Sequence, residues 1–293
     1  MAYLCVLWPV MEMIQDDSAS SEIVATPRNW NAARRFVESC QTRGKITFTL
    51  AELQKATGLS HTAARDQVKR LGKYVTRVSP RQDFFLIVSP EQFPMGAPPA
   101  FWWLDAYFQS IEQPYYVGLL TAAAEYGSSH QAVQVTQVLT NRPLRELKVG
   151  RVRVQFFVKK TVAEVPASYL PKAYAPLKIS TPEVTALDLM RYAHRIGGAG
   201  RAVHAIRDLL PNFSKKRLQN ALVAEFEISN IQRLGFILEE LKRPDLSELV
   251  RARLPSRLNW VYLEHHKAQG PSLRAEGANP WAVLVNSSNQ ELS

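Results

Sequence analysis

The run TLAELQKATGLSHTAARDQVKRL, residues 49–71, restricts the local fold more than any other stretch of the chain. Thr49 followed by Glu52 has the spacing of a capping box, in which hydroxyl and carboxylate each satisfy an otherwise free amide at a helix start. Gly58 marks the end of that helix, because glycine enters the left-handed conformation without steric cost. Ser60 then caps a second helix that runs to about Lys73. At about 100° per residue, Ala64, Val68 and Leu71 fall on one narrow seam, and Leu53 and Leu59 complete a small core. Thr62, Asp66, Lys69 and Lys73 face the other way, with Arg65 on the flank. Two short helices joined at a glycine turn, the second with a polar outer face, read as a helix-turn-helix.

The flanking segments extend this unit. Upstream, Thr26-Pro27 opens a helix whose stripe is Trp30, Ala33, Val37 and Cys40, with Gly44 beyond its end. KITF is short and β-prone. Downstream, YVTRV and DFFLIV are strand-like runs separated by SPRQ, which predicts a hairpin. Three helices and a hairpin in this order make a winged helix-turn-helix, assigned to residues 26–90. The charge agrees. The chain carries a formal +10 with a pI near 9.7, and residues 26–90 hold twelve basic against four acidic residues. Such a surplus favours a polyanion, either nucleic acid or an anionic membrane surface. On duplex DNA the outer residues at the start of the second helix meet the major groove. Arg65 suits a bidentate guanine contact, and His61 or Thr62 a neighbouring base edge or phosphate. Lys69, Lys73, Arg77 and Arg81 suit phosphate. With Ser60 and Asp66 these residues are the candidate DNA-binding site. The competing reading is an ordinary solvated face.

Residues 91–99, in a stretch holding four prolines and a glycine, read as a linker. Residues 100–293 then read as a larger α+β unit, mixed in its first part and helical from Thr181 onward. AFWWLDAYFQSI and YYVGLLTAAAEYG are expected as helices, AVQVTQVLT and RVRVQFFVKK as strands, and NPWAVLVN as a final strand. At the other end, residues 1–25 begin with an apolar run that contains Pro9 and Glu12 and lacks a basic start, so they are expected to be a mobile extension, or sequence upstream of a true start at Met11 or Met13, and not a signal peptide. No run reaches the length of a membrane span. Cys5 and Cys40 offer neither a disulfide framework nor metal spacing, which fits a cytoplasmic protein.

Catalytic motifs do not assemble. None of the six histidines lies in HExxH or at zinc spacing with cysteine. IGGAGRA follows a helix, not a strand, and reads as a helix end more than a phosphate loop. YGSSH resembles the start of a nucleotidyltransferase motif, but that chemistry needs two carboxylates for magnesium, and no aspartate occurs between Asp105 and Asp188. No enzymatic activity, metal or cofactor is therefore expected. What remains is cationic: NRPLRELKVGRVRVQFFVKK carries Arg142, Arg145, Lys148, Arg151, Arg153, Lys159 and Lys160 against Glu146 alone. Alternation puts Arg151, Arg153 and Gln155 on one strand face, either solvated or contacting an anionic partner.

The order of these pieces resembles the AbiEi-type antitoxins of bacterial abortive-infection toxin–antitoxin systems. The resemblance runs over most of residues 28–286, through the winged helix, YYVGLLTAAAEYG, VTQVLTNRPLR with VRVQFF, ISTPEVTALDLMRY, IQRLGFILEEL and WAVLVN. It implies two jobs. The winged helix would bind inverted repeats in its own promoter and repress the operon, two protomers on DNA being one arrangement. Residues 100–293 would neutralise a nucleotidyltransferase-like toxin, without a stable complex being required. By this resemblance Thr62, Arg65 and Lys69 lie on the groove-facing helix. Arg142 and Arg145, with Lys148, Arg151 and Arg153 beside them, lie on the basic stretch assigned to the antitoxic surface. The alternative is a stand-alone winged-helix regulator whose second domain binds a ligand or dimerises.

Overall fold

In the computed structural model, which describes residues 31–128, 134–171, 173–264 and 279–286, the chain is α+β, and its first helices and small sheet precede a larger mixed sheet and a helical half. The expected extension at 1–25, the Thr26-Pro27 cap and Trp30 lie outside the described residues.

The first unit comprises α1 (Ala32–Thr42), β1 (Thr47–Thr49), α2 (Leu50–Thr57), α3 (His61–Arg70), β2 (Val75–Ser79) and β3 (Gln82–Ile87). The capping box forms in full: Thr49 accepts from the Glu52 amide, and the Glu52 carboxylate accepts from the Thr49 amide at 2.8 Å. Gly58 ends α2 at φ +70°, and the Ser60 hydroxyl accepts from the Ala63 amide to start α3. The strands pair antiparallel in the order β1-β3-β2. Strand β3 is buried on both faces. Phe85 and Ile87 pack with Ala33, Val37, Leu53, Ala64 and Val68 under the three helices. Phe84 and Leu86 turn the other way, onto Trp103, Leu104 and Tyr107. That double burial explains an unbroken FFLIV in place of alternation.

The 91–99 stretch connects the two units in a packed conformation. Ala97 is buried, the Pro98 carbonyl accepts from the Trp103 indole at 3.1 Å, and the Met95 carbonyl accepts from the Arg151 amide at 2.8 Å. At that crossing Gly150, at φ +56°, lies so close that any Cβ would overlap the Met95 carbonyl and the Gly96 backbone.

The second unit continues with α4 (Leu104–Ser110), β4 (Tyr115–Val117), α5 (Leu119–Glu125), β5 (Thr136–Thr140), β6 (Leu147–Val149), β7 (Val152–Val158), β8 (Ala167–Tyr169) and β9 (Lys178–Ser180). These strands form one mixed sheet in the order β6-β7-β5-β4-β9-β8, parallel at β5/β7 and β4/β9 and antiparallel elsewhere. Two expectations are corrected here. Tyr115–Val117 is a buried central strand, not the start of a helix; the helix begins only at Leu119, after the Gly118 amide has bonded the Gln137 carbonyl. The connector NRPLRELKVG contributes β6, paired with β7 in a hairpin. In both cases pairing with another strand, distant for β4 and the next in sequence for β6, decides the conformation, which periodicity within the segment cannot register.

The helical half follows: α6 (Pro182–Arg191), α7 (Ala193–Ile196), α8 (Ala199–Leu209), α9 (Lys215–Val223), α10 (Ile228–Glu240) and α11 (Pro244–Arg251), with the short parallel pair β10 (Val261–Tyr262) and β11 (Val283–Leu284). Residues 182–190 of α6 are all buried, because α5, α8, α9 and α10 enclose it. The expected helix through RYAHRI breaks at Tyr192, and Gly197 in the left-handed region ends α7. No helix among the described residues is long and apolar enough to cross a membrane.

Candidate nucleic-acid interface

Helix α3 turns Ala64 and Val68 into the core of the first unit and leaves His61, Thr62, Arg65, Asp66 and Lys69 exposed. Between this face and the β2–β3 hairpin runs a groove of about 530 Å³, lined by His61, Thr62, Arg65, Asp66, Lys69 and Arg77, with Phe85 at its base. Six of the nine expected residues therefore share one concave surface. Ser60 lies outside the groove, its hydroxyl taken up by the cap of α3. Arg81 stands exposed at the hairpin tip. Lys73 stands over the Phe93 ring, 4.4 Å from its centroid, on the flank of the unit.

The charges in the groove are not equivalent. Arg65 and Lys69 have no carboxylate partner among the described residues. Arg77 is half-buried and engaged: its Nε donates to the Gln82 carbonyl at 2.9 Å and its Nη2 to Asp83 at 2.5 Å. The same Asp83 carboxylate lies 3.6 Å from His61 Nε2, so it bridges the hairpin to the start of α3. One carboxylate thus competes with phosphate for two of the expected contacts.

On the second unit Arg142, Arg145, Lys148, Arg151 and Arg153 are all exposed at one edge of the large sheet. Lys148 and Arg153 face each other across the β6–β7 ladder, and Arg151 sits in the turn. Arg153 is paired with Glu146 at 2.8 Å, which holds that carboxyl below the ordinary glutamate range. Lys159 does not belong to this surface. It is buried at the end of β7, and its ammonium donates to Asp188 at 2.7 Å.

Lys159 belongs to an ionic cluster that sequence reading missed. Asp188, fully buried on α6, also accepts from the Tyr116 hydroxyl at 2.8 Å. Burial pushes its carboxyl up, and the neighbouring Lys159 and the Tyr116 hydroxyl pull it back only in part. Glu225 accepts from Arg191 at 2.5 Å, from Asn230 at 3.2 Å and from the Glu227 amide at 2.9 Å, with Lys159 at 3.9 Å. Burial raises that carboxyl too, but the two cations outweigh it and hold Glu225 below its ordinary range. Beside this cluster, Thr181 caps α6, Pro182 begins it, and the buried Glu183 accepts from the Ser214 amide at 2.6 Å and from Arg217 at 3.1 Å. Thr-Pro-Glu is thus a joint between α6 and α9. The signal in the sequence was charge on an otherwise apolar helix. Among the described residues no three His, Cys, Asp or Glu side chains gather as a metal site would require.

Comparison with known proteins adds two findings. The fold is similar to the crystal structure of the Rv2827c protein from Mycobacterium tuberculosis, with a TM-score of 0.63 and 16% identity over 87% of this chain and 92% of that one. Among curated protein sequences nothing matches significantly. A family model, the AbiEi antitoxin C-terminal domain, matches residues 116–240, from β4 to the last residue of α10. The large sheet and the helices enclosing α6 are thus the part of the chain that is similar to the AbiEi antitoxin C-terminal domain family.

Proposed function

We propose that this chain is a non-enzymatic antitoxin that represses its own operon, with residues 26–90 acting as a winged helix-turn-helix on duplex DNA. The reading rests on the exposed face of α3 beside the β2–β3 hairpin, where Arg65 and Lys69 carry charge that no carboxylate among the described residues neutralises. Helix α3 would enter the major groove, with Arg65 reading a guanine edge and Thr62 a neighbouring base or phosphate. Lys69 and the hairpin's Arg81 would hold backbone phosphate, together with Lys73 on the flank. Residues 100–293 would neutralise a nucleotidyltransferase-like toxin, with Arg142, Arg145, Lys148, Arg151 and Arg153 as the surface responsible. The family match supports that role for the domain.

Titration of the full chain against the DNA upstream of its own gene tests the first half. Each phosphate contact releases counterions, so log K must fall linearly with log salt, and a flat plot excludes the reading. The second half is tested by co-expressing the full chain with the toxin gene of its operon. Replacing the five basic residues by glutamine is expected to abolish rescue of growth while leaving promoter binding intact.

A further inference from the structure

Beyond the family-matched span, the chain runs from the last residue of α11 to the start of β10 as RARLPSRLNW, residues 251–260. Arg251, Arg253 and Arg257 lie in it, all exposed, and no acidic residue occurs between Glu248 and Glu264. Arg251 donates to the Pro280 carbonyl at 2.8 Å. Arg253 and Arg257 meet no carboxylate among the described residues. Trp260 is 58% exposed, an unusual position for the largest apolar side chain.

That exposure is not slack in the chain. On one side the Asn259 carbonyl accepts at 2.9 Å from Gln232, which is buried on α10 and also donates to the Trp281 carbonyl at 2.8 Å. On the other side the Val261 amide donates to the Ala282 carbonyl at 2.9 Å where β10 begins. The backbone around Trp260 is pinned through both neighbours, and its exposed ring shares one short segment with Arg253 and Arg257, for which no carboxylate stands among the described residues. An exposed aromatic face and cations in one short segment fit an unpaired nucleobase and its flanking phosphates, since every base offers a π-face and each phosphate a charge. A duplex hides its base faces, and an acidic peptide would leave the indole unused. We propose that Trp260, Arg253 and Arg257 form a contact for single-stranded nucleic acid, separate from the face of α3.

The test uses the full chain with Arg65→Ala and Lys69→Ala, which silence α3, and labelled oligouridine and oligothymidine of about twelve nucleotides, with a duplex of equal length as control. Trp260→Ala is expected to weaken binding of the single strands about tenfold, and Trp260→Phe to keep most of it. Arg253→Gln and Arg257→Gln should each reduce the slope of log K against log salt by about 0.7. Duplex binding should not change. Comparing the two oligonucleotides identifies RNA or DNA as the source. The proposal falls if the full chain binds neither oligonucleotide, or if Trp260→Ala changes affinity by less than about twofold. It also falls if the duplex loses affinity equally, or if polyglutamate competes through the arginines alone. All three side chains are exposed, so an unchanged thermal midpoint accompanies the expected result.

Discussion

Arg65 and Lys69 stand one turn apart on α3, and the proposed DNA contact assigns them different work. A planar guanidinium near the helix start can bond two atoms of one base edge, whereas an ammonium on a flexible stem is a point charge suited to phosphate. Arg65→Ala is therefore expected to cut the preference for operator over unrelated DNA by about tenfold or more. Lys69→Ala should weaken every sequence alike and lower the salt slope by about 0.9. Asp83 yields a prediction of opposite sign. Its carboxylate engages Arg77 and lies beside His61, so it repels phosphate and occupies a cation that could neutralise it. Asp83→Asn should tighten binding to all duplexes and steepen the salt dependence, which competition assays over a salt series would measure. Unchanged affinity would mean that Arg77 never turns outward.

At the scale of elements, α6 organises the family-matched domain. It is enclosed by α5, α8, α9 and α10 yet carries Glu183, Asp188 and Arg191, each taken up by a partner elsewhere in the fold. Breaking a buried pair on one side leaves a charge with neither water nor counterion. Glu225→Gln should thus cost about 3 kcal/mol at neutral pH, read as a lower urea midpoint. The sign with pH follows from the folded carboxyl being held below its ordinary range. Its contribution is complete above the unfolded-state value and is lost as pH falls through the folded-state value. The difference between wild type and variant should therefore hold from neutral pH down to the ordinary glutamate value, about 4.3, and close only as pH falls below it.

How far such elements were legible depended on where their partners lay. Caps, the Gly58 stop and the α3 seam are local, and Thr49, Glu52, Ser60 and Val68 stand where their spacing put them. The same holds for the hairpin, although β3 reads as one apolar run because it serves two cores. Tyr115–Val117 and Lys159 misled for one shared reason. Their states are set by strands and carboxylates about twenty to seventy residues away, which no window of local periodicity contains. The groove on α3 was readable because a helix face is a local property. The competition from Asp83 was not, since it needs the hairpin folded against the helix.

For the whole molecule, β3 carries the main consequence. Phe85 and Ile87 belong to the core beneath α1, α2 and α3, while Phe84 and Leu86 belong to the core that includes Trp103, Tyr107 and Phe156. Tyr107 also donates to Gln82 at 2.7 Å, and the Met95 carbonyl is bonded from the turn before β7. The proposed DNA-binding unit and the family-matched domain therefore meet through a shared apolar face, not through a free tether. Removing residues 1–99 would strip Phe84 and Leu86 from the second core and leave Trp103, Leu104 and Tyr107 facing water. Two units joined in this way should unfold together. Calorimetry of the full chain is expected to give one transition, and Leu86→Ala, at a fully buried site, should lower the stability of both units by about 3 kcal/mol. Fluorescence of Trp103, on the far side of β3 from α3, and DNA binding by α3 should then be lost at the same urea concentration. Two separated transitions, with DNA binding lost first and the Trp103 signal unchanged, would show that the shared face couples the units weakly and that the two jobs can be cut apart.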